Sequence, residues 1–223
     1  MKTRTLAAAL LGGLLLAPVT AHGGPSQNFP PASEHYSDLF DYTADWQNST
    51  YTLGATGLPA DVTFTDNHDG TGHLGGPVHV PAGVYDIDLS ATTPSDVTFH
   101  KTLELTVEPE RAMDRLARSN PTTVSRTKPF VLKARVKDQD DGSFGDISLA
   151  DPGTFLLDRR GHTTTCDATT VAGSLHTSPG PGYFDVKCRV PSGLHRGTYD
   201  VTHVVAGDYY AGVSKAGSLR ITR

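Results

Sequence analysis

Alternation with a period of two dominates the chain. Tyr85, Ile87, Leu89 and Ala91 share one parity, with Asp86, Asp88 and Ser90 on the other. Val97, Phe99, Leu103, Leu105 and Val107 alternate with Thr98, His100, Thr102, Glu104 and Thr106. Successive side chains of an extended strand point to opposite faces, so each run predicts a half-buried strand of an antiparallel sheet. Lys101 interrupts the apolar parity of the second run, which predicts a bulge or an edge position there. Val62 and Phe64 give a shorter strand. In the second half, Phe130, Leu132, Ala134 and Val136 alternate with Val131, Lys133, Arg135 and Lys137. Phe184, Val186, Cys188 and Val190 alternate with Tyr183, Asp185, Lys187 and Arg189. Tyr199, Val201 and Val205 form another set with His203 between them, and Leu219 and Ile221 close the chain. Residues 110–118 fit either a short helix or an opening strand, and strand is preferred.

What separates these runs is turn chemistry. The chain has 23 Gly and 15 Pro in 223 residues, above average usage but far from a collagenous or disordered composition. Together with the short strands this predicts an all-β protein. No internal apolar run approaches the ~18 residues of a transmembrane helix. One element occurs twice. Val80-Pro81-Ala82-Gly83-Val84-Tyr85-Asp86-Ile87 is echoed by Val190-Pro191-Ser192-Gly193 and Gly197-Thr198-Tyr199-Asp200-Val201. Each copy leads into a long strand, a turn and a Leu-rich closing strand, so two modules of one architecture are expected, at 36–109 and 110–223. A Gly-x-Tyr opening before the penultimate strand suits an immunoglobulin-like sandwich, where the tyrosine hydroxyl reaches nearby backbone. Tyr85 and Tyr199 are therefore read as structural.

Residues 1–21 read as a secretory signal peptide: Lys2 and Arg4, then an apolar stretch from Leu6 to Leu16, then Val19-Thr20-Ala21 as a small-residue cleavage site. Residues 22–35, with Pro25, Pro30 and Pro31, read as a flexible lead-in. A secreted, extracellular location follows. The overall charge of −5 conceals an asymmetry. Residues 22–109 carry 12 acidic side chains and one basic one, Lys101; residues 110–223 carry 12 acidic and 16 basic. The first module is thus at −11 and the second at +4. The acidic module disfavours nucleic-acid binding, the basic one suits an anionic glycan or acidic surface, and the two can attract each other. Cys166 and Cys188 are the only cysteines, and in an exported chain such a pair is expected to form a disulfide.

Two stretches carry a family resemblance. Thr56-Gly57-Leu58-Pro59-Ala60, Val62-Thr63-Phe64, Gly72-His73-Leu74-Gly75-Gly76-Pro77 and Ala82-Gly83-Val84-Tyr85 resemble the immunoglobulin-fold domains of bacterial surface and secreted proteins, over residues 49–108. Asp61 departs from that pattern, which often has Gly there, and Gly76 stands before Pro77 where Thr is commoner. Lys128-Pro129-Phe130-Val131-Leu132-Lys133-Ala134, Asp140-Asp141-Gly142-Ser143-Phe144-Gly145-Asp146-Ile147, Gly197-Thr198-Tyr199-Asp200-Val201 and Gly207-Asp208-Tyr209-Tyr210-Ala211-Gly212 are similar to bacterial Ig-like repeats. The resemblance implies two tandem immunoglobulin-like β-sandwiches serving adhesion, spacing or scaffolding. It also implies that Cys166 and Cys188 bridge within one hairpin region, and not between the two sheets as in antibody domains. These motifs define turns more than activity.

Three constellations could carry chemistry. Tyr36, Phe40, Tyr42, Trp46 and Tyr51 cluster early, and Tyr42, Trp46 and Tyr51 could form a sugar-stacking platform. Core packing is the favoured alternative, because aromatics dominate small β-cores. Asp138, Asp140, Asp141 and Asp146 could supply oxygens to calcium, as could the loop Asp66-Asn67-His68-Asp69-Gly70, although ordinary Asp/Asn/Gly turn chemistry explains both. No other cofactor is expected. His68, His73 and His79 match no zinc spacing, and no nucleophile elbow or phosphate loop is present. The expected function is therefore non-enzymatic binding, adhesion or spacing through a protein or glycan ligand. A carbohydrate-binding accessory or small hydrolase built on the Trp46 region is the alternative.

Overall fold

The computed structural model describes residues 19–22, 28–139, 145–177 and 182–223. The first module comprises β1 (Val19–His22), β2 (Ala32–His35), β3 (Leu39–Asp45), β4 (Thr52–Thr56), β5 (Thr63–Asp66), β6 (Thr71–Pro77), β7 (Gly83–Thr92) and β8 (Thr98–Glu108). They form two four-stranded sheets, β1-β3-β6-β5 and β2-β8-β7-β4. Alternate residues of facing strands meet between them: Phe40, Tyr42 and Ala44 from β3, Leu74 from β6, Ile87, Leu89 and Ala91 from β7, and Leu103, Leu105 and Val107 from β8.

The second module adds β9 (Glu110–Leu116), β10 (Thr123–Ser125), β11 (Phe130–Asp138), β12 (Thr154–Arg159), β13 (His162–Asp167), β14 (Thr169–Thr170), β15 (Tyr183–Val190), β16 (Gly197–Ala206), β17 (Tyr210–Val213) and β18 (Gly217–Thr222), with a 3-10 turn at Ile147–Leu149. One layer runs β14-β15-β11-β9 and the other β10-β18-β16-β12-β13. β17 pairs antiparallel with β16 and parallel with β9, joining the layers along one edge. The strand order of the first module thus recurs: β3-β6 corresponds to β11-β15, and β4-β7-β8 to β12-β16-β18. The fold is all-β, with two tandem immunoglobulin-like sandwiches. In both, the repeated Gly-x-Tyr opens the penultimate long strand. The Tyr85 hydroxyl donates to the Pro81 carbonyl at 2.7 Å, and the Tyr199 hydroxyl donates to the His195 carbonyl at 2.9 Å.

Several expectations are corrected. The lead-in at 22–35 belongs to the first sandwich from residue 28 onward. Phe29 is 3% exposed in its core, and β2 pairs parallel with β8; a buried aromatic and a sheet edge outweigh the local proline content. Residues 1–18 of the expected leader lie outside the described residues. Val19–His22 pairs with Tyr42–Asp45 of β3, so cleavage after Ala21 would uncover that edge.

Lys101 sits in no bulge. The β7–β8 register runs unbroken from Gly83↔Val107 to Thr92↔Thr98, and Lys101 faces inward opposite Leu89. Its ammonium lies 4.5 Å from the Trp46 ring centroid and 4.9 Å from that of Phe29, so aromatic faces replace part of its lost hydration. Val97 and Phe99 keep the inward parity but stand exposed near the tip of the β7–β8 hairpin. Asp61, the departure from the family's Gly, has a φ of 66°, in the left-handed region where Gly is the unstrained choice.

Candidate functional site

The aromatic platform does not exist as a surface. Tyr42 is 1% and Trp46 7% exposed. Phe29 packs edge-on against both, with centroids at 6.5 and 5.5 Å, and Phe40 stacks on Tyr42 at 6.0 Å. Burial pushes the Tyr42 hydroxyl up to about 12, and it donates to the Pro30 carbonyl. Tyr51 is half-buried and tilts against Phe99. Tyr42 and Trp46 offer no open face to a sugar, because the first core consumes both rings.

The first acidic loop serves its own turn. Asp66 accepts backbone N–H bonds from Leu53 and His68, and Asp69 accepts from the backbone and hydroxyl of Thr71. Asp140 and Asp141 lie outside the described residues. Of the other two candidates, Asp146 caps the 3-10 turn by accepting from the Ser148 N–H at 2.9 Å, and Asp138 is buried and accepts from the Tyr210 hydroxyl at 3.1 Å. Among the described residues no three acidic, histidine or cysteine side chains converge as a metal site. His68, His73 and His79 turn to three different carboxylates, Asp66, Asp41 and Asp61.

Asp138 and Asp146 belong instead to the joint between the sandwiches. Tyr36 follows β2 in the first module, yet it is buried in the second core, 5.1 Å from the ring of Tyr209 and 5.5 Å from that of Tyr210. Its hydroxyl accepts the Asp146 N–H at 3.3 Å. Backbone bonds flank the rings: Ala82 N–H donates to the Asp208 carbonyl and Glu110 N–H to the Tyr209 carbonyl, both at 2.7 Å. Burial, then the nearby Asp138, holds the Tyr210 phenol well above its ordinary value, so it stays a donor. The contact expected from opposite charge is thus built from tyrosines and backbone. The motif Asp208-Tyr209-Tyr210, legible as a turn, is also the element that docks the first sandwich. Sequence reasoning missed this role, because nothing local distinguishes a tyrosine packed inside its own module from one packed against the next.

The disulfide Cys166–Cys188 forms, with Cα atoms 6.1 Å apart. It does not stay within one hairpin. It ties β13, at the edge of one layer, to β15 in the other. The partner strands differ from those of the antibody bridge, which corresponds here to β11 and β16.

A further polar feature lies inside the second core. The His203 and Asp114 side chains are wholly buried, with Nδ1 and Oδ2 2.6 Å apart. His203 Nε2 lies 2.8 Å from the Pro152 carbonyl, which can only accept, so Nε2 carries a hydrogen. Burial pushes the Asp114 carboxyl up, opposed by its hydrogen bond to His203.

The strongest surface feature is the outer face of β9, β11 and β15. Inward Leu132, Ala134, Val136, Phe184 and Val186 leave the opposite parity to solvent. That parity is basic: Arg115 on β9, Lys133 and Arg135 on β11, Lys187 and Arg189 on β15. Arg135 donates to both oxygens of Asp185, at 2.7 and 3.1 Å, and lies 4.2 Å from the Tyr183 ring centroid. That hydrogen-bonded pairing raises its pKa further. The turn after β9 carries Arg118 and is tied to β11: Ala117 N–H and Asn120 Nδ2 both donate to the Lys133 carbonyl, and Lys133 N–H donates to Asn120 Oδ1. A cleft of about 540 Å³ opens between this turn and the sheet.

The sequence matches no known family profile and no curated protein. Among solved structures, the chain is similar to the titin domains z1z2 in complex with telethonin, at 16% identity and a TM-score of 0.37, covering 86% of this chain and 92% of that one. A second titin segment matches at 11% identity and 0.41, covering 86% and 95%. The N-terminal Ig1-2 module of the Drosophila receptor protein tyrosine phosphatase DLAR matches at 9% identity and 0.29, covering 88% and 95%. The immunoglobulin-like assignment rests on the strand pairing of each sandwich.

Proposed function

We propose that the chain works outside the cell as a non-catalytic binding module, an adhesion or spacer element whose two sandwiches present surfaces of opposite charge from a set joint. The observation that carries this reading is the joint itself. Contacts between modules of one chain ordinarily permit motion unless they are large and apolar. Here Tyr36, Tyr209 and Tyr210 interlock, with Tyr36 and Tyr210 buried and flanking backbone hydrogen bonds on either side. A protein that only displays its faces needs such rigidity. The disulfide supports an oxidising, extracellular setting.

The test is a pair of assays on the intact protein: capture from arrays of extracellular proteins and glycans, and incubation with a panel of glycosidic, ester and peptide substrates. Capture without turnover is expected. Tyr36→Ala should weaken capture by any ligand that spans both sandwiches and broaden the scattering profile in solution. Turnover that copurifies with the chain would overturn the reading.

A further inference from the structure

We infer that the outer face of β9, β11 and β15 binds an acidic polysaccharide, a sugar chain carrying carboxylate or sulfate groups; this deepens the binding-module reading and rests on it. The cross-strand register is the starting point. Arg115 lies directly opposite Arg135, and Lys133 directly opposite Lys187. Like charges placed directly opposite on one sheet face repel, so folding alone disfavours the arrangement. An anionic chain laid across the face converts that repulsion into attraction. Asp185 is already taken by Arg135. Among the described residues no carboxylate is paired with Arg115, Arg118, Lys133 or Lys187. Strands about 4.8 Å apart, with same-face residues about 6.8 Å apart along each, fix the cations on a short grid. The pinned turn brings Arg118 to the rim of the cleft.

The chemistry of the face selects among anionic partners. Protein interfaces deplete lysine at their centres and rely on buried aromatic or apolar anchors. Among the side chains described on this face, the exposed apolar one is Val131. A single-stranded nucleic acid needs open rings for its bases, but the Tyr183 ring already lies against His176 at 4.4 Å and Arg135 at 4.2 Å. The first sandwich, at −11, also opposes a densely charged phosphate backbone. A hydrated acidic sugar chain needs no open ring, and one with carboxylates spaced along it meets that repulsion more weakly. Ser119 in the cleft adds a hydroxyl for its ring substituents.

The intact protein is passed over immobilised polygalacturonate, heparin, neutral dextran and single-stranded DNA at several salt concentrations. Binding to polygalacturonate or heparin, weakened by salt and stronger than to DNA, is expected, with none to dextran. Arg115→Glu combined with Lys133→Glu should lower that affinity at least about tenfold. Each of these substitutions places opposite charges where like charges met, so the variant should melt no lower than the parent. The same charge change made elsewhere, Arg126→Glu with Arg223→Glu, should cost less than about twofold in affinity. Equal loss from both variants overturns the site, as does DNA binding that matches or exceeds the polysaccharides, or no retention on either polysaccharide. A protein ligand whose capture ignores Arg115→Glu with Lys133→Glu, in the absence of polysaccharide binding, overturns this inference alone. Substrate turnover overturns the binding-module reading instead.

Discussion

The two sandwiches share a strand order but accommodate a buried polar side chain in different ways. In the first, Lys101 points into the core at 3% exposure and lies against the faces of Trp46 and Phe29. In the second, His203 on β16 is matched by a carboxylate, Asp114, delivered by β9 from the facing layer. The difference follows from local composition. The first module gathers Phe29, Phe40, Tyr42 and Trp46 in one place, and ring faces offset part of a cation's lost hydration. A neighbouring carboxylate offers a stronger partner but must itself be desolvated. The arrangements should therefore respond unequally to truncation, and four measurements can break or sharpen the contrast.

The largest effect is expected at Asp114. Asp114→Ala leaves His203 Nδ1 buried without its partner and should cost about 3–5 kcal/mol in urea unfolding. Asp114→Asn keeps a polar group at the position, so its loss should be well under half as large. Equal losses would show that volume, and not pairing, holds this part of the core.

The second effect is also confined to the second sandwich. Cys166 and Cys188 are 22 residues apart, and closing such a loop stabilises by about 3 kcal/mol in the chain-entropy model. Cys166→Ser with Cys188→Ser should lose about that much in the transition followed by far-ultraviolet dichroism. Trp46 is the only tryptophan and lies in the first core, so its emission should move less. Identical shifts in both signals would show that the tyrosine joint makes the two sandwiches one cooperative unit.

How much of this was legible in the sequence depends on the range of the interaction. Parity exposed the strands and their buried faces, because a period of two is a local property. The repeated Gly-x-Tyr marked the same corner in both modules for the same reason. Lys101 was misread because a polar residue in an inward set has two explanations. Only the unbroken register with β7, and Trp46 some 55 residues earlier in the chain, decide between them. The lead-in was misread because its proline content is local, whereas the pairing of β2 with β8 is not. Charge counting found a basic second module but not its surface, since parity tells which face a cation occupies and not which cation stands opposite. The joint was hidden inside a motif whose turn-forming role was sufficient to explain it.

The third measurement returns to the first core. Lys101→Met keeps the stem and discards the ammonium, exchanging a cation–π contact for a sulfur–aromatic one, and should cost about 1 kcal/mol at neutral pH. Burial holds the Lys101 ammonium below its ordinary value. Between that lowered value and the ordinary 10.5 the unfolded chain binds more protons than the folded one. Parental stability should therefore gain as pH rises through this window, and the Lys101→Met protein should lack that gain. Parallel urea midpoints for the two proteins in alkaline buffer would count against it. A loss as large as that of Asp114→Ala would erase the contrast between the two solutions.

The smallest effect lies at the edge of the same core, on Glu34 of β2, opposite Val107. Burial, then the negative charge of Asp38, raises its carboxyl from 4.5 to about 7, against a smaller opposing pull from His35. Between these two values the folded chain holds the proton and the unfolded chain does not. The contribution is thus fully present below 4.5, declines as pH rises, and is lost once the carboxylate ionises above about 7. Glu34→Gln replaces the protonated form with a neutral amide that cannot ionise. Its stability relative to the parent should be level in acid and turn favourable above neutrality, by an amount kept small because the side chain is only half-buried and water screens it. Urea midpoints followed through Trp46 emission at acid, neutral and mildly alkaline pH measure this directly. If the two curves stay parallel, Glu34 is ordinary surface and β2 is held by its parallel pairing with β8 alone. If they diverge on the alkaline side, the edge strand of the first sandwich carries a carboxyl whose ionisation weakens the fold, whereas the second sandwich set a carboxylate against its buried histidine.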